Sequence, residues 1–153
     1  MNKSGVLSRA PRLLKNKRYK EVIRLLEPNV FLYRENSDFF TSLGLACLYT
    51  GDFGGAESYL KRAYQIDNEK IPAMLGLAVY ELKRGHTEES IRYYLTVLDI
   101  DPRNRTARKG LETLRNSTDL ENSDTRNNFK YLQRFFPPLG ISLRPLWFGL
   151  PAA

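Results

Sequence analysis

The sequence predicts an all-α protein made of stacked helix pairs, an α-solenoid, and three observations predict it. First, Leu43, Leu48, Gly51, Tyr59, Ile66 and Asp67 return in the same order and spacing as Leu77, Leu82, Gly85, Tyr93, Ile100 and Asp101. A fixed period of this kind, about 34 residues, marks a supersecondary unit stacked on itself. Second, apolar residues in both copies follow helical spacing. Third, the turns Gly51-Asp52 and Arg84-Gly85-His86 divide each copy into two helical halves, with glycine supplying the positive φ that ends a helix. Size class is kept where identity is not: Gly44 maps to Ala78, Ala56 to Ser90, Leu60 to Tyr94 and Ala63 to Val97.

Each element follows from its residues. A weaker first copy places Ala10, Leu14, Tyr19, Val22 and Leu26 where Gly44, Leu48, Phe53, Ala56 and Leu60 sit. Pro11 is expected to limit its helix A to little more than a turn, because proline breaks a helix interior. Its helix B is expected from Tyr19 to about Leu26. In the first clear copy, Phe39, Phe40, Leu43, Leu45, Ala46 and Leu48 are crowded enough to be buried on more than one side. Its helix B, from about Gly54 to Ile66, carries Ala56, Tyr59, Leu60 and Ala63 on one stripe. The second clear copy repeats this, with helix A from about Pro72 to Lys83 and helix B from Thr87 to Leu98. Pro72 suits a first turn, where its missing N–H is an orphan anyway. Thr106 to about Arg115 reads as a closing helix: Ala107, Leu111 and Leu114 cover the last repeat while Arg108, Lys109, Glu112 and Arg115 face water. The expected organisation is a solenoid over 1–115, a polar linker over 116–128 and an aromatic, basic segment over 129–153.

Composition narrows the class. With 153 residues, 42% hydrophobic and 27% charged, the chain has enough apolar surface for one ordinary domain. No run of 18 apolar residues occurs, so nothing here spans a bilayer by itself. No uninterrupted apolar stretch follows the N-terminal charges, so a secretory signal is not expected, and Asn116-Ser117-Thr118 carries no weight as a glycosylation acceptor. The single cysteine, Cys47, excludes an internal disulfide framework and fits a reducing, cytoplasmic setting. The net charge of +7 is uneven: residues 1–36 contribute +6, residues 37–104 contribute −3 and residues 105–153 contribute +4. A mildly acidic repeat core therefore lies between two basic flanks.

The residues from 116 to 128 are dominated by Asn, Ser, Thr, Asp and Glu, the composition of a linker. The character then reverses. Phe129, Tyr131, Phe135, Phe136, Trp147 and Phe148 stand among further leucines, with Lys130, Arg134 and Arg144 but no acid. Prolines and glycine exclude one long regular helix, and so many rings do not fit a solvated surface. Three uses compete: folding back on the groove or the end of the solenoid, docking on a partner, or lying at a membrane. For the last, Arg144 with Trp147 and Phe148 has the composition of an interfacial anchor.

Phe40-x-x-Leu43-Gly44-x-x-Cys47 followed by Ala56-x-x-x-Leu60, then Met74-x-x-Leu77-Ala78 followed by Ser90-x-x-x-Tyr94 and Pro102, resembles the tetratricopeptide (TPR) pattern. Phe40 and Met74 replace the family tryptophan, Cys47 and Glu81 its tyrosine, and Asn68 its first closing proline. The resemblance covers roughly residues 10–115 and implies a TPR α-solenoid of two clear repeats, a degenerate N-terminal repeat and a C-terminal closing helix. It further implies that A helices line a groove for a peptide or a helix. By position the groove-facing residues are Thr41, Leu45, Leu48 and Tyr49, then Leu75, Val79, Leu82 and Lys83. Some TPR domains grip a chaperone's terminal carboxylate through Lys, Asn and Arg. Here the corresponding positions read Asp38, Ser42, Pro72 and Gly76, so that clamp is absent. An apolar groove of this kind selects a hydrophobic strand or an amphipathic helix.

Chemistry finds little support. Gly44 and Gly76 read as helix-crossing residues rather than sites of ligand approach. Cys47 reads as a small buried hydrophobe, and His86 as a surface residue in a turn. One histidine and one cysteine far apart assemble neither a zinc cluster nor a catalytic pair. Gly51-Asp52-Phe53-Gly54-Gly55 lacks the Lys-Ser/Thr of a phosphate loop, and Asp99-Ile100-Asp101-Pro102 lacks the glycine and glutamate of a calcium loop. No nucleophile, base and oxyanion site come together, so neither an enzyme nor a cofactor is expected. Lys15, Lys17, Arg18, Lys20 and Arg24 around Tyr19 could contact RNA or anionic lipid, but a solvated helix face is the commoner explanation, and nucleic acid is not expected as the partner. The expected function is a protein-binding adaptor or assembly factor. The alternatives are a small chaperone resembling the TPR chaperones of secretion systems, or a membrane-tethered organiser acting through the tail.

Overall fold

The computed structural model describes residues 3–116. Among them are seven α-helices and no strand: α1 Lys3–Lys15, α2 Tyr19–Leu26, α3 Ser37–Thr50, α4 Phe53–Ile66, α5 Ile71–Lys83, α6 Thr87–Ile100 and α7 Arg105–Asn116. A 3-10 turn, Glu27–Asn29, follows α2. Two compact units divide between Tyr80 and Glu81, inside α5. Apart from Asn116, which ends α7, the expected linker and aromatic tail lie outside the described residues.

The expectation for Pro11 is corrected. Helix α1 runs through it for 13 residues. The missing N–H and the orphaned carbonyl one turn back are tolerable because Pro11 lies on an exposed face. On the opposite face Val6, Ala10 and Leu13 are buried, and α1 packs on α2 and α3. That packing outweighs the local defect, as tertiary context commonly overrides propensity. Helix α2 is short because Pro28 cannot donate the next helical bond; Asn29 Nδ2 donates to the Leu25 carbonyl and closes the end.

Three inter-helix turns are built alike. Gly51 has φ 87° and Gly85 has φ 81°. The amide of Asp52 donates to Cys47 O at 2.9 Å and that of Gly51 to Leu48 O at 3.3 Å, the paired bonds of a Schellman cap. His86 and Gly85 repeat them to Glu81 O and Leu82 O. Arg18 and Lys17 do so again, to Leu13 O and Leu14 O. Lys17, one period before Gly51, therefore adopts φ 58° where the other copies use glycine. The first copy is a true repeat, and its turn carries a side chain that costs roughly 1–2 kcal/mol in this conformation.

In the first unit α3 is buried on two sides. Tyr33 stacks on Phe39 with ring centroids 4.9 Å apart, Phe39 meets Phe40 edge-on at 5.4 Å, and Phe40 stacks on Tyr59 at 6.1 Å. The polar groups drawn into this packing are satisfied: Ser37 Oγ donates to Ala63 O and Thr41 Oγ1 to Ser37 O. Two glycines set the helix crossings. A methyl group at Gly44 would lie 2.6 Å from Leu60 Cγ, and one at Gly76 would lie 2.9 Å from Leu45 Cδ2 and 3.0 Å from Leu60 Cδ2. Leu60 thus fills the space that both glycines leave, which bears out their reading as packing residues. Side-chain caps start two of these helices: Asn36 accepts from Phe39 N and Asp52 from Gly55 N.

In the second unit α6 buries Ser90, Ile91, Tyr94, Leu95, Val97 and Leu98. Helix α7 covers it with Ala107, Leu111 and Leu114. A methyl at Gly110 would lie 2.5 Å from Tyr94 Cζ. Gly110 stands one period beyond Gly76, and Tyr94 one period beyond Leu60. The closing helix is therefore a fourth copy of helix A. At the positions where α3 has Phe40 and Gly44 and α5 has Met74 and Ala78, it carries Arg108 and Glu112. Those polar side chains suit a face turned to water.

The Ser90 hydroxyl is fully buried with no hydrogen-bond partner among the described residues. The equivalent residue in the preceding repeat is Ala56. Ser90→Ala is expected to stabilise the protein by about 1 kcal/mol, because an unpaired buried hydroxyl is a net loss. Thermal melts check this; a lower Tm would mean that the hydroxyl has a partner.

Candidate functional site

The expected groove residues separate by burial. On α3, Thr41 (5% exposed) and Leu48 (2%) lie in the core, which corrects their reading as contact residues. Helical geometry places them one position from the free stripe, on the line through Gly44, where Leu60 of α4 packs. Leu45 is half-buried and Tyr49 is 53% exposed. On the part of α5 in the first unit, Leu75 and Val79 are half-buried. Asp38, Ser42, Leu45 and Tyr49 form one stripe along α3, and Pro72, Leu75 and Val79 one along α5. Leu45 also approaches Gly76, so it holds α3 against α5 as well as reaching the surface. Leu82 and Lys83 belong to the second unit, where both are exposed. Of the tail residues Phe129, Tyr131, Phe135, Phe136, Arg144, Trp147 and Phe148, none lies within the described residues.

At the open end of the α3 stripe, Tyr49 stacks on Tyr19 of α2 with ring centroids 5.0 Å apart and planes 25° apart. The two rings stand in a cleft of about 490 Å³ lined by Lys17, Arg18, Tyr19, Lys20, Glu21, Tyr49 and Thr50. Arg18 Nε binds Glu21 Oε1 at 2.5 Å, and Thr50 Oγ1 donates to the Ala46 and Cys47 carbonyls. At the other end of the stripe Asp38 is engaged by Lys70 Nζ at 3.0 Å, and this hydrogen bond holds the Lys70 ammonium above its usual range. The cleft was not legible as a site in the sequence. Its one signal there was a basic cluster around a tyrosine, and only the fold adds Tyr49.

Cys47 is buried, as expected, and burial, reinforced by the nearby Asp52 carboxylate, pushes its thiol up to about 12. Such a group is a poor nucleophile at neutral pH. His86 precedes α6 and its Nδ1 lies 2.7 Å from Glu81 Oε2, on the surface. Among the described residues no group of three His, Cys, Asp or Glu side chains could hold a metal ion, and no helix is long and apolar enough to cross a membrane.

Comparison with known proteins agrees with this architecture. Solved structures with the same fold include the TPR domain of OM64 from Arabidopsis (20% identity, TM-score 0.68), of which the chain covers 93% with 73% of its own length. An O-GlcNAc transferase mutant from Thermobaculum terrenum (21% identity, TM-score 0.70) aligns with 88% of this chain, which spans only 25% of that protein. Naa15/Naa10 bound to HypK-THB (16% identity, TM-score 0.64) aligns over 88% of this chain and 20% of the matched one. At these identities the likeness is one of fold. No curated protein matches the chain. Residues 48–114, from the last turn of α3 into α7, match the tetratricopeptide-repeat family model. With that match, the shared fold and a turn that recurs at Lys17, Gly51 and Gly85, the chain carries tetratricopeptide repeats, a unit that serves as a protein–protein interaction module.

Proposed function

We propose that the chain is a non-enzymatic adaptor or assembly factor that captures a hydrophobic peptide or an amphipathic helix on the A-helix face of its first unit. The observation that carries this reading is the half-buried apolar stripe of Leu45 and Tyr49 on α3 with Leu75 and Val79 on α5. An apolar helix face with spacing i, i+3/i+4, i+7 receives a partner's own stripe by the same rule that packs helices. One neighbour in fold, Naa15/Naa10, is described as bound to a further protein, which is in keeping with such a role.

Val79 tests the face better than Leu45, because Leu45 also packs against Gly76 and its replacement would confound binding with stability. Short peptides selected from a random display library on the folded chain serve as probes. Val79→Glu is expected to weaken their binding by about tenfold or more, from the loss of one apolar contact and the burial of a charge. The far-ultraviolet helical signal should stay unchanged. Undiminished binding by a folded Val79→Glu protein would overturn the proposal.

A further inference from the structure

Lys17 occupies the turn position of the repeat, where glycine is the better residue. The two later copies place Gly51 and Gly85 there, with the same cap and the same positive φ. A lysine in this conformation costs folding energy that glycine would not. Nothing in the turn uses its side chain: Lys17 is exposed and has no carboxylate partner among the described residues. What the side chain does line is the cleft with Tyr19, Lys20 and Tyr49.

The electrostatics of that cleft are one-sided. Its one carboxylate, Glu21, is taken up by Arg18, which leaves the ammonium groups of Lys17 and Lys20 uncompensated beside two stacked rings. Residues 1–36 as a whole carry nine Lys/Arg against three Glu. Uncompensated cations beside an apolar wall attract an anion and hold its carbon skeleton against the rings. The chain's own C-terminal segment is a poor occupant, because residues 129–153 contain three basic residues and no acid. Charge therefore points to a different chain.

We propose that this cleft is a second recognition site that receives an acidic stretch, Asp or Glu residues, of the partner segment bound on the α3–α5 face. Tyr49 belongs to both surfaces, since it lines the cleft and lies one turn beyond Leu45 on the α3 stripe. The expected ligand is a segment with apolar residues along the stripe and carboxylates at the end that reaches Lys17 and Lys20. The cleft then fixes the direction in which the segment lies, because reversal would place its acids beside Asp38 and Asp67, two carboxylates that share the single ammonium of Lys70. The inference rests on the proposed groove for the apolar half of the ligand, and on the cleft alone for the acidic half.

The experiment uses the full chain and the same random library of short peptides, selected in parallel on the wild type, Lys17→Gly, Lys20→Ala and the double variant. Lys17→Gly should fold at least as well as the wild type, because it restores the residue that the other turns use. Peptides enriched on the wild type are expected to carry an acidic cluster at one end of an apolar stripe. Replacing those acids with Asn or Gln should weaken binding about tenfold at low salt and much less at high salt. In Lys17→Gly with Lys20→Ala that preference should disappear, while the affinity of the amide-substituted peptide stays the same. Equal acidic content among peptides from wild type and double variant would overturn the proposal, as would enrichment of no peptide at all. Tighter Lys17- and Lys20-dependent binding to a short single-stranded RNA or to phosphatidylserine vesicles would also overturn it. Failure of the groove has a different signature: binding insensitive to Val79→Glu but still dependent on acids and on Lys17 removes the groove and leaves the cleft standing.

Discussion

Leu60→Ala is expected to destabilise the first unit by about 2–5 kcal/mol, the range for leucines removed from close-packed cores. Leu60 is fully buried on α4, and its branched end occupies the volume that Gly44 leaves on α3 and Gly76 leaves on α5. Truncation opens a cavity that neither glycine can fill, between three helices rather than two. Of a total margin of about 5–15 kcal/mol, that is a severe loss. Urea unfolding monitored by far-ultraviolet circular dichroism checks it, with the midpoint lowered. A change below about 1 kcal/mol would mean that the helices close up over the gap, so that Leu60 is not the post on which the three helices rest.

Gly44→Ala is the converse experiment, and it too should destabilise, by about 1–3 kcal/mol. Alanine has the higher helix propensity by about 1 kcal/mol, so propensity alone predicts the opposite sign. The added methyl decides the outcome, because it would lie 2.6 Å from Leu60 Cγ and 3.0 Å from the Leu60 amide nitrogen. Neither atom is the free end of a flexible side chain, so α3 and α4 must move apart. The double variant Gly44→Ala with Leu60→Ala should lose less than the sum of the two singles, since each relieves part of the other's defect. Strict additivity would show that the two residues are not in contact. Gly54 supplies a control on α4: a methyl there meets nothing nearer than 3.9 Å, so Gly54→Ala should register only the gain in propensity.

Much of the fold was legible because a repeated sequence makes each copy a check on the other. Identities such as Leu43 with Leu77 and Gly51 with Gly85 report residues that the same packing and the same turn demand twice. Where the first copy loses those identities, reading became harder. Pro11 reads as a break in α1, because a sequence shows the lost hydrogen bond and not the compensating burial of Val6, Ala10 and Leu13. The period marked Lys17 as a turn residue, one copy before Gly51, but its chemistry gave no sign of the left-handed conformation it adopts. At the other end, Gly76 and Gly110 stand one period apart, so the signal that α7 repeats helix A was present; read as a closing cover, it went unused.

The groove was less legible than the fold. Position within the repeat identified a face of α3, yet Thr41 and Leu48 lie in the core while Leu45 and Tyr49 reach the surface. Helical periodicity gives the direction of a side chain to within one position, and burial at the edge of a face depends on how closely the neighbouring helix approaches. That distance is set by pairs such as Leu45 with Gly76, remote in sequence and joined only by packing.

By itself the sequence determined that this chain is a stack of helix pairs, where the helices of its two clear copies turn, and that its repeats are of a kind that binds other proteins. Those properties follow from a period, a spacing and a residue type, all of which are local. Tertiary structure decided which residues of the A-helix face remain free, that one leucine fills the hollows of two glycines, and that Tyr49 joins Lys17, Tyr19 and Lys20 in one cleft. These are contacts between separate helices, and no period in a single chain records how closely two helices approach.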